Sequence, residues 1–457
     1  MIEPEDQLAR FAHGLRFEQL PPDAVRLVKR LLIAVSGTGV AGAEEDGILA
    51  LRQFLVARGG APEARVIVHG DRLPAASAAM LNAAMCRALD FCDAMAPGPH
   101  IGSALIPAAF AAAELRGGCD GRRFIAALAA GAELGSRFNL TEAQYDGFDP
   151  TGICVNFAAA GAAAVLLGLE PPAIRQALGL AFNRCGGSFQ SHVDGSLGVR
   201  LTQGWVAEAG VACAQFAQLG LGGPRHFLTG IYGYPHLYGR DRLAPTEVVE
   251  GLGTDWRLHR VVFKKYPSCG VTQGATELTL RLMAEHGLAP EAVASAEVRL
   301  PPYAHRLVGH RFHMGENPRV DAQFSAQYTV ANAIVRGVAR LSHFTIDAIR
   351  DPAVLAMVER VRTVADPAMD ARGHSSVDVA IDTTDGRRFA LALDVAPGFP
   401  GNGLTDAEHF QRFDDCMAYA PRALAADRAR AWLDAIDSLE DVDDVRQLLP
   451  LLVVEAG

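Results

Sequence analysis

The apolar positions of the N-terminal half fall at helical intervals. Leu8, Phe11 and Leu15 recur at i, i+3 and i+7, and after Pro21-Pro22 the residues Val28, Leu31, Leu32 and Val35 restart the stripe. Later segments, "LNAAMCRAL", "RRFIAALAAGAELGSRF" and "NFAAAGAAAVLLGL", are apolar nearly all round, the pattern of helices buried among helices. From residue 5 to about 260 the pattern predicts one large helical domain with small residues at its tight contacts. Past Lys264 the texture changes. "VASAEVRLPP" (293–302) and "SSVDVAIDTTDGRRFALALDV" (375–395) alternate as strands do, and Asp385-Gly386 between two alternating runs signals a hairpin. Helical spacing returns around 322–337 and 346–362, and "PGFPGNGLTDAEHF" (397–410) leads into C-terminal helices that rejoin the first domain. The expected fold is mostly α: an all-helical domain from residues 1–263 and 400–457, and a smaller α+β domain from 264–399.

Composition narrows the functional classes. The chain has 457 residues, half of them hydrophobic and 21% charged, which is the balance of a globular protein with real cores. The formal net charge is −10 and no lysine- or arginine-rich run occurs, so nucleic acid is not an expected partner. Positive charge is spent one or two residues at a time, which suits an anionic metabolite. The eight cysteines form no C-x-x-C pair, and the opening residues lack a basic stretch followed by an apolar core. The longest apolar runs, such as 157–169, are too short for a bilayer. The expectation is a soluble, reduced, cytoplasmic protein without a membrane partner.

Two motifs have a plainer reading than a functional one. Gly37, Gly39 and Gly42 in "AVSGTGVAG" match G-x-G-x-x-G, but helical spacing precedes them where a dinucleotide site needs a strand, and only Glu63 stands near the required acidic position. A glycine-rich end of a packed helix is expected. His305, His310 and His313 in "HRLVGHRFHMG" have no cysteine or paired carboxylate to complete a metal set, so a solvated loop is expected. Cys154, Cys185 and Cys269 lack iron–sulfur spacing. The chemistry is expected to need no metal and no cofactor.

The stretch "ALDFCDAMAPGPHIGSALIPAAFAAAE" (88–114) is the stronger signal. Asp90 and Asp93 stand one turn apart at a helix end, Pro97-Gly98-Pro99 releases the chain, and His100 precedes the next apolar helix. A carboxylate beside an imidazole orients the ring and raises its basicity, as a general base requires; a capping cluster at the surface is the other reading. "YDGFDPTGICVNFAAAG" places Asp149-Pro150-Thr151-Gly152 before a buried helix, where backbone N–H groups can face an anion. "SHVDGSLGVRLTQGW" adds His192, Asp194 and Arg200; "VVFKKYPSCGVTQGATEL" adds Lys264, Lys265, Tyr266 and Cys269; "DAQFSAQYTVANAI" adds Tyr328.

Read in this order, these segments resemble the MmgE/PrpD family, whose members include 2-methylcitrate dehydratase, cis-aconitate decarboxylase and iminodisuccinate epimerase. The most specific landmarks are "ALDFCDAMAPGPHIGSALIP", "GFDPTG", "DGSLGVRLTQGW", "KKYPSCGVTQGA" and "AQFSAQYTVANAIVRG". The resemblance implies a helical domain from both chain ends, an α+β lid, a cleft active site and a homodimer. By position it assigns Asp90, His100, Lys264 and Tyr328 to the family's catalytic set. Four positions depart: Ala94 stands for a threonine, Asp149 for a histidine, Val199 for a frequent lysine and Thr202 for a histidine. Cys269 agrees with dehydratase-like members and replaces a histidine of decarboxylase-like ones.

The family's reactions pass through a carbanion beside a carboxylate, which calls for a base and for cations holding the charge. On this reading His100, oriented by Asp90, is the base; Lys264 with Arg200 or Lys265 holds substrate carboxylates; Tyr328 donates a proton; Asp149 is a second acid–base candidate. Asp93, His192 and Cys269 complete the substrate-binding candidates, His192 standing in for the missing histidine. The leading expectation is a lyase that dehydrates a small hydroxy-polycarboxylate such as 2-methylcitrate. An epimerase of an amino- or imino-dicarboxylate is second, a cis-aconitate-type decarboxylase third, and a non-catalytic scaffold is kept open.

Overall fold

The computed structural model describes residues 2–96, 98–141 and 144–454; Pro97 of the expected helix-releasing triplet lies outside the described residues. The protein is mostly α. It separates into two compact units, one made of residues up to Val261 together with those from Cys416 on, the other of Val262–Asp415.

The first unit is built on helices that the alanine-rich segments form: α1 (Pro22–Ala41), α2 (Ala75–Arg87), α3 (Gly102–Arg116), α4 (Gly121–Arg137), α5 (Pro150–Leu166) and α6 (Gly198–Gln218). Small side chains let their backbones approach closely. A Cβ on Gly210 of α6 would lie 2.4 Å from Ala159 Cβ of α5, so only glycine fits that crossing. The G-x-G-x-x-G segment is the end of α1, packed and helical, as its spacing predicts. The short antiparallel pair Ala64–Arg65 with Arg72–Leu73 is a departure from the all-helical expectation. Residues from Cys416 on close the same unit: Trp432 is fully buried, 6.4 Å from Phe110 of α3 between ring centroids.

The second unit holds helices α7 (Gln273–Glu285) and α8 (Ala326–Arg336) and a four-stranded sheet. Its strands are β1 (Val293–Leu300), β2 (Val361–Ala365), β3 (Val377–Thr383) and β4 (Arg388–Leu393), in the order β2-β1-β3-β4. β1 is parallel to β2 and antiparallel to β3, and β3 and β4 form the hairpin that Asp385-Gly386 signals, with Gly386 at φ +85°. Leu278 and Leu282 of α7 share a core with Val298 and Ile381 of the sheet.

Two sequence expectations need correction here. The helix expected over 346–362 is two short helices, Ile346–Ile349 and Pro352–Val358, followed by strand β2. Pro352 restarts the helix, and a five-residue edge strand is too short for its alternation to stand out. The second unit also runs past residue 399 to Asp415. Asp415 accepts from Leu341 N at 3.0 Å and Glu408 pairs with Lys265, which ties 404–415 to that unit.

Candidate active site

Helix α2 ends at Arg87, and the chain reverses through Asp90, which takes a left-handed φ of +52°. Aspartate tolerates that region better than most residues with a Cβ. The turn brings the Asp90 carboxylate back onto the helix it has just left. Arg87 Nη1 lies 2.7 Å from Asp90 Oδ1, and the two side chains are 4% and 9% exposed. Burial works against the Arg87 charge, yet the carboxylates of Asp90 and Asp149 keep its pKa above the ordinary value.

His100 sits over this pair, with Nε2 3.9 Å from Asp90 Oδ1. Its Nδ1 lies 2.6 Å from the main-chain oxygen of Asp93. A carbonyl only accepts, so Nδ1 carries the hydrogen and the neutral ring keeps its basic lone pair on Nε2. The Asp93 main chain thus fixes Nδ1, while the Asp90 carboxylate, already paired with Arg87, lies on the Nε2 side of the ring. The backbone is fixed as well. His100 N donates to Thr151 Oγ1 at 3.1 Å, and Gln203 Nε2 donates to His100 O at 3.1 Å.

Asp93, a candidate for substrate binding, is fully buried and its Oδ2 accepts from Gly102 N at 2.9 Å. It thus serves the start of α3, where a carboxylate meets both an unpaired donor and the positive end of the helix dipole.

Asp149 caps α5. Its Oδ1 accepts from Thr151 N at 2.9 Å and from Gly152 N at 3.4 Å. A Cβ on Gly152 would lie 1.9 Å from Gly186 O, so the motif needs glycine there. The N–H groups expected to face an external anion are instead taken by the protein's own carboxylate. Burial raises the Asp149 pKa, while the Gly152 N–H, the Arg87 charge and the Thr151 N–H pull it back. Inside the protein the carboxylate is met by the Arg87 charge and by a helix terminus.

The remaining candidates of this unit have contacts of their own. Arg200 donates to Ala88 O at 3.0 Å and to Asp46 O, so part of its guanidinium anchors the turn after α2. His192 is half-buried and stacks on Phe189, with ring centroids 4.4 Å apart. Asp194 is exposed and accepts from Gln190 at 2.6 Å.

Lys264, Lys265, Tyr266, Cys269 and Tyr328 belong to the second unit. Lys264 is buried, at 3% exposure. Lys265 Nζ lies 2.8 Å from both Glu277 and Glu408, so its charge is compensated within the protein; this weakens the expectation that it holds a substrate carboxylate. Tyr266 donates to Glu277 at 2.6 Å. Cys269 is buried, and its N–H donates to Gln323 O at 2.9 Å. Tyr328 is fully buried between Phe312 and Phe344, and its hydroxyl donates to His343 O at 2.5 Å. Burial pushes its pKa up to about 12. To give a proton to a substrate, Tyr328 would have to exchange that partner.

The structure therefore brings Asp90, Asp93, His100 and Asp149 into one buried cluster. Sequence reasoning missed two members, Arg87 and Gln203, and read Thr151 for its backbone N–H rather than for the hydroxyl that holds His100 N. Arg87 had a signal, the i, i+3 spacing of arginine and aspartate in "CRALD" at the end of an apolar helix. His310 and His313 are exposed on a loop, and His305 lies on the short helix Pro302–Val308. Among the described residues, the set of metal-ligating side chains that converges is Glu3, Glu5 and His226, which includes none of those histidines.

A mostly α chain with one unit that buries an imidazole against an arginine–aspartate pair, and a second, α+β unit that carries a buried lysine, defines a recognisable class of two-unit protein. Residues 6–245 match the MmgE/PrpD N-terminal domain and residues 266–441 the MmgE/PrpD C-terminal domain. The chain belongs to the MmgE/PrpD family. It is 25% identical to a cis-aconitate decarboxylase-like protein of Aspergillus oryzae, over 98% of this chain and 96% of that one. It is 23% identical to a cis-aconitate decarboxylase of Homo sapiens, over 98% and 94%, and 26% identical to one of Aspergillus terreus strain NIH 2624, over 98% and 95%. Among the described residues, no helix is long and apolar enough to cross a membrane.

Proposed function

We propose that the protein is a lyase acting on a small polycarboxylate, with His100 Nε2 moving the proton at the carbon beside a carboxylate. The observation that carries this reading is the fixed ring. Nδ1 is held by Asp93 O, so the basic nitrogen is Nε2, beside a compensated arginine–aspartate pair. An imidazole with one defined basic nitrogen is the group that reversible proton transfer needs.

In the dehydration reading, Nε2 takes the α-proton, the C–H electron pair becomes the new C=C bond, and the hydroxyl leaves with a proton as water. Lys264 is kept as the cation for a substrate carboxylate and Tyr328 as a proton donor on the family resemblance alone. The reaction as proposed invokes no metal and no cofactor, and the protein acts as a homodimer. A cytoplasmic location belongs to the same proposal, supported by eight cysteines without disulfide or C-x-x-C spacing.

Decarboxylation is the second reading, favoured by the names of the relatives and opposed by Cys269 where decarboxylase-like members carry histidine. Following citrate, 2-methylcitrate and cis-aconitate by proton NMR in D₂O separates the two. Loss of water from the hydroxy acids supports dehydration; release of carbon dioxide from cis-aconitate supports decarboxylation. No turnover and no deuterium at any α-carbon would remove the lyase reading.

A further inference from the structure

A second site for negative charge lies in the first unit, away from the residues of the His100 cluster. A cleft of about 510 Å³ is lined by Arg16, Arg116, Arg122 and Arg123, with His13 and Phe17 at its wall. Some of this charge is answered locally. Arg122 pairs with Glu18 at 2.9 Å, His13 stands 3.7 Å from Glu170, and Asp120 is spent as the N-cap of α4, accepting from Arg123 N at 2.7 Å. Arg16, Arg116 and Arg123 have no carboxylate oxygen within 4.0 Å among the described residues.

Main-chain carbonyls hold these guanidinium groups in place. Arg116 donates to Leu166 O and Arg123 to Val165 O, each at 2.9 Å, while Arg16 donates to His13 O at 2.6 Å and Leu15 O at 3.1 Å. Arginines at the carbonyl end of α5 satisfy that helix terminus, which accounts for the Arg116 and Arg123 contacts. It accounts neither for Arg16 nor for the open volume. Each guanidinium has five N–H donors and uses one or two here, and Arg123 Nε is buried without a hydrogen-bond partner. Burial, then the charges of Arg116 and Arg16, pull the Arg123 pKa down, so the three cations are held together at a cost. Gly168, at φ +79°, leaves room for the Arg116 guanidinium: a Cβ there would lie 2.3 Å from its Nη1.

We propose that this cleft binds a small multivalent anion, a polyphosphate or a tricarboxylate, at a site distinct from the His100 cluster. Planar guanidinium forks match the paired oxygens of both groups, and three of them around one cavity select multivalent over monovalent anions. A protein of net charge −10 gains specificity from such a local reversal of sign.

Calorimetric titration of the full-length protein at low ionic strength, with inorganic triphosphate and with citrate, tests this. Saturable binding is expected, weakened about tenfold or more by Arg16→Gln and by Arg123→Gln, and retained in His100→Gln and Arg58→Gln. Binding of triphosphate alone would assign a phosphate-bearing ligand, and binding of citrate alone a carboxylate. Arg16 lies between helices, so Arg16→Gln keeps the test open if Arg123→Gln fails to fold. No saturable binding of either anion, binding unchanged in the arginine variants, or binding lost only in His100→Gln overturns the proposal.

Discussion

The Arg87 guanidinium and the Asp90 carboxylate form an ion pair 2.7 Å long inside the helical unit, one turn of chain apart and nearly sealed from solvent. Removing one partner of such a pair strands a buried charge. Arg87→Met is expected to cost about 3–5 kcal/mol of stability. The double variant Arg87→Met/Asp90→Asn should recover much of that loss, because asparagine keeps the left-handed backbone and removes the stranded charge. Urea denaturation of the set measures the coupling; additive losses would show that the pair does not act as a unit.

His100 offers a test of chemistry rather than stability. His100→Gln should lower turnover of the responsive polycarboxylate by about 10²–10⁴-fold. Its melting temperature should stay close to that of the native protein. Solvent deuterium exchange into the substrate should fall in parallel. Exchange at the native rate would move the proton-transfer role elsewhere.

Asp149 predicts a pH dependence. Burial raises its folded-state pKa above the ordinary 3.8, so the folded protein binds this proton more tightly than the unfolded chain does. Its contribution to stability is full below about pH 4 and is lost as pH rises through the elevated folded value. Asp149→Asn, which retains a capping oxygen, should therefore gain on the native protein as pH rises from 4, then plateau. Asp149→Ala should lose about 1 kcal/mol at acidic pH through the missing cap. Denaturation midpoints across pH 3–8 give both curves.

Lys265 runs the other way. Burial lowers its pKa, but Glu277 and Glu408 more than offset that and hold it above 10.5. Its stabilisation is full below the unfolded value and lost as pH rises through the folded one. Lys265→Met should be less stable than the native protein at pH 7, and the gap should close in strongly alkaline solution.

The homodimer proposed from the family predicts an interface, for which α6 and the loop beyond it are the surface to test. Trp205, Phe216 and Ile231 are large, apolar and exposed in the single chain. Trp205→Glu or Ile231→Glu should shift light-scattering mass from dimer towards monomer. An unchanged mass would place the interface elsewhere.

Much of the fold could be read from residue patterns because the physics is local. Alternation over 375–395 with Asp385-Gly386 specifies a hairpin whatever the surroundings, and the alanine-rich runs specify buried helices. β2 escaped because five residues next to a helical run carry too little period. The site divides in the same way. Asp90, His100 and Asp149 stand in short, unusual segments, and Arg87 was legible in its spacing to Asp90. The bond from His100 to a main-chain oxygen and the contacts of Gln203 with residues about 50 to 100 positions away depend on tertiary packing. No local pattern encodes them.

The first unit takes its core from both ends of the chain, with Trp432 filling space beside Phe110. During synthesis the intervening α+β unit emerges whole and is free to fold at once. The first unit cannot complete its core until the segment that carries Trp432 has followed. Mutations that slow that last closure will therefore act on yield and on chaperone demand before they touch any property of the finished protein.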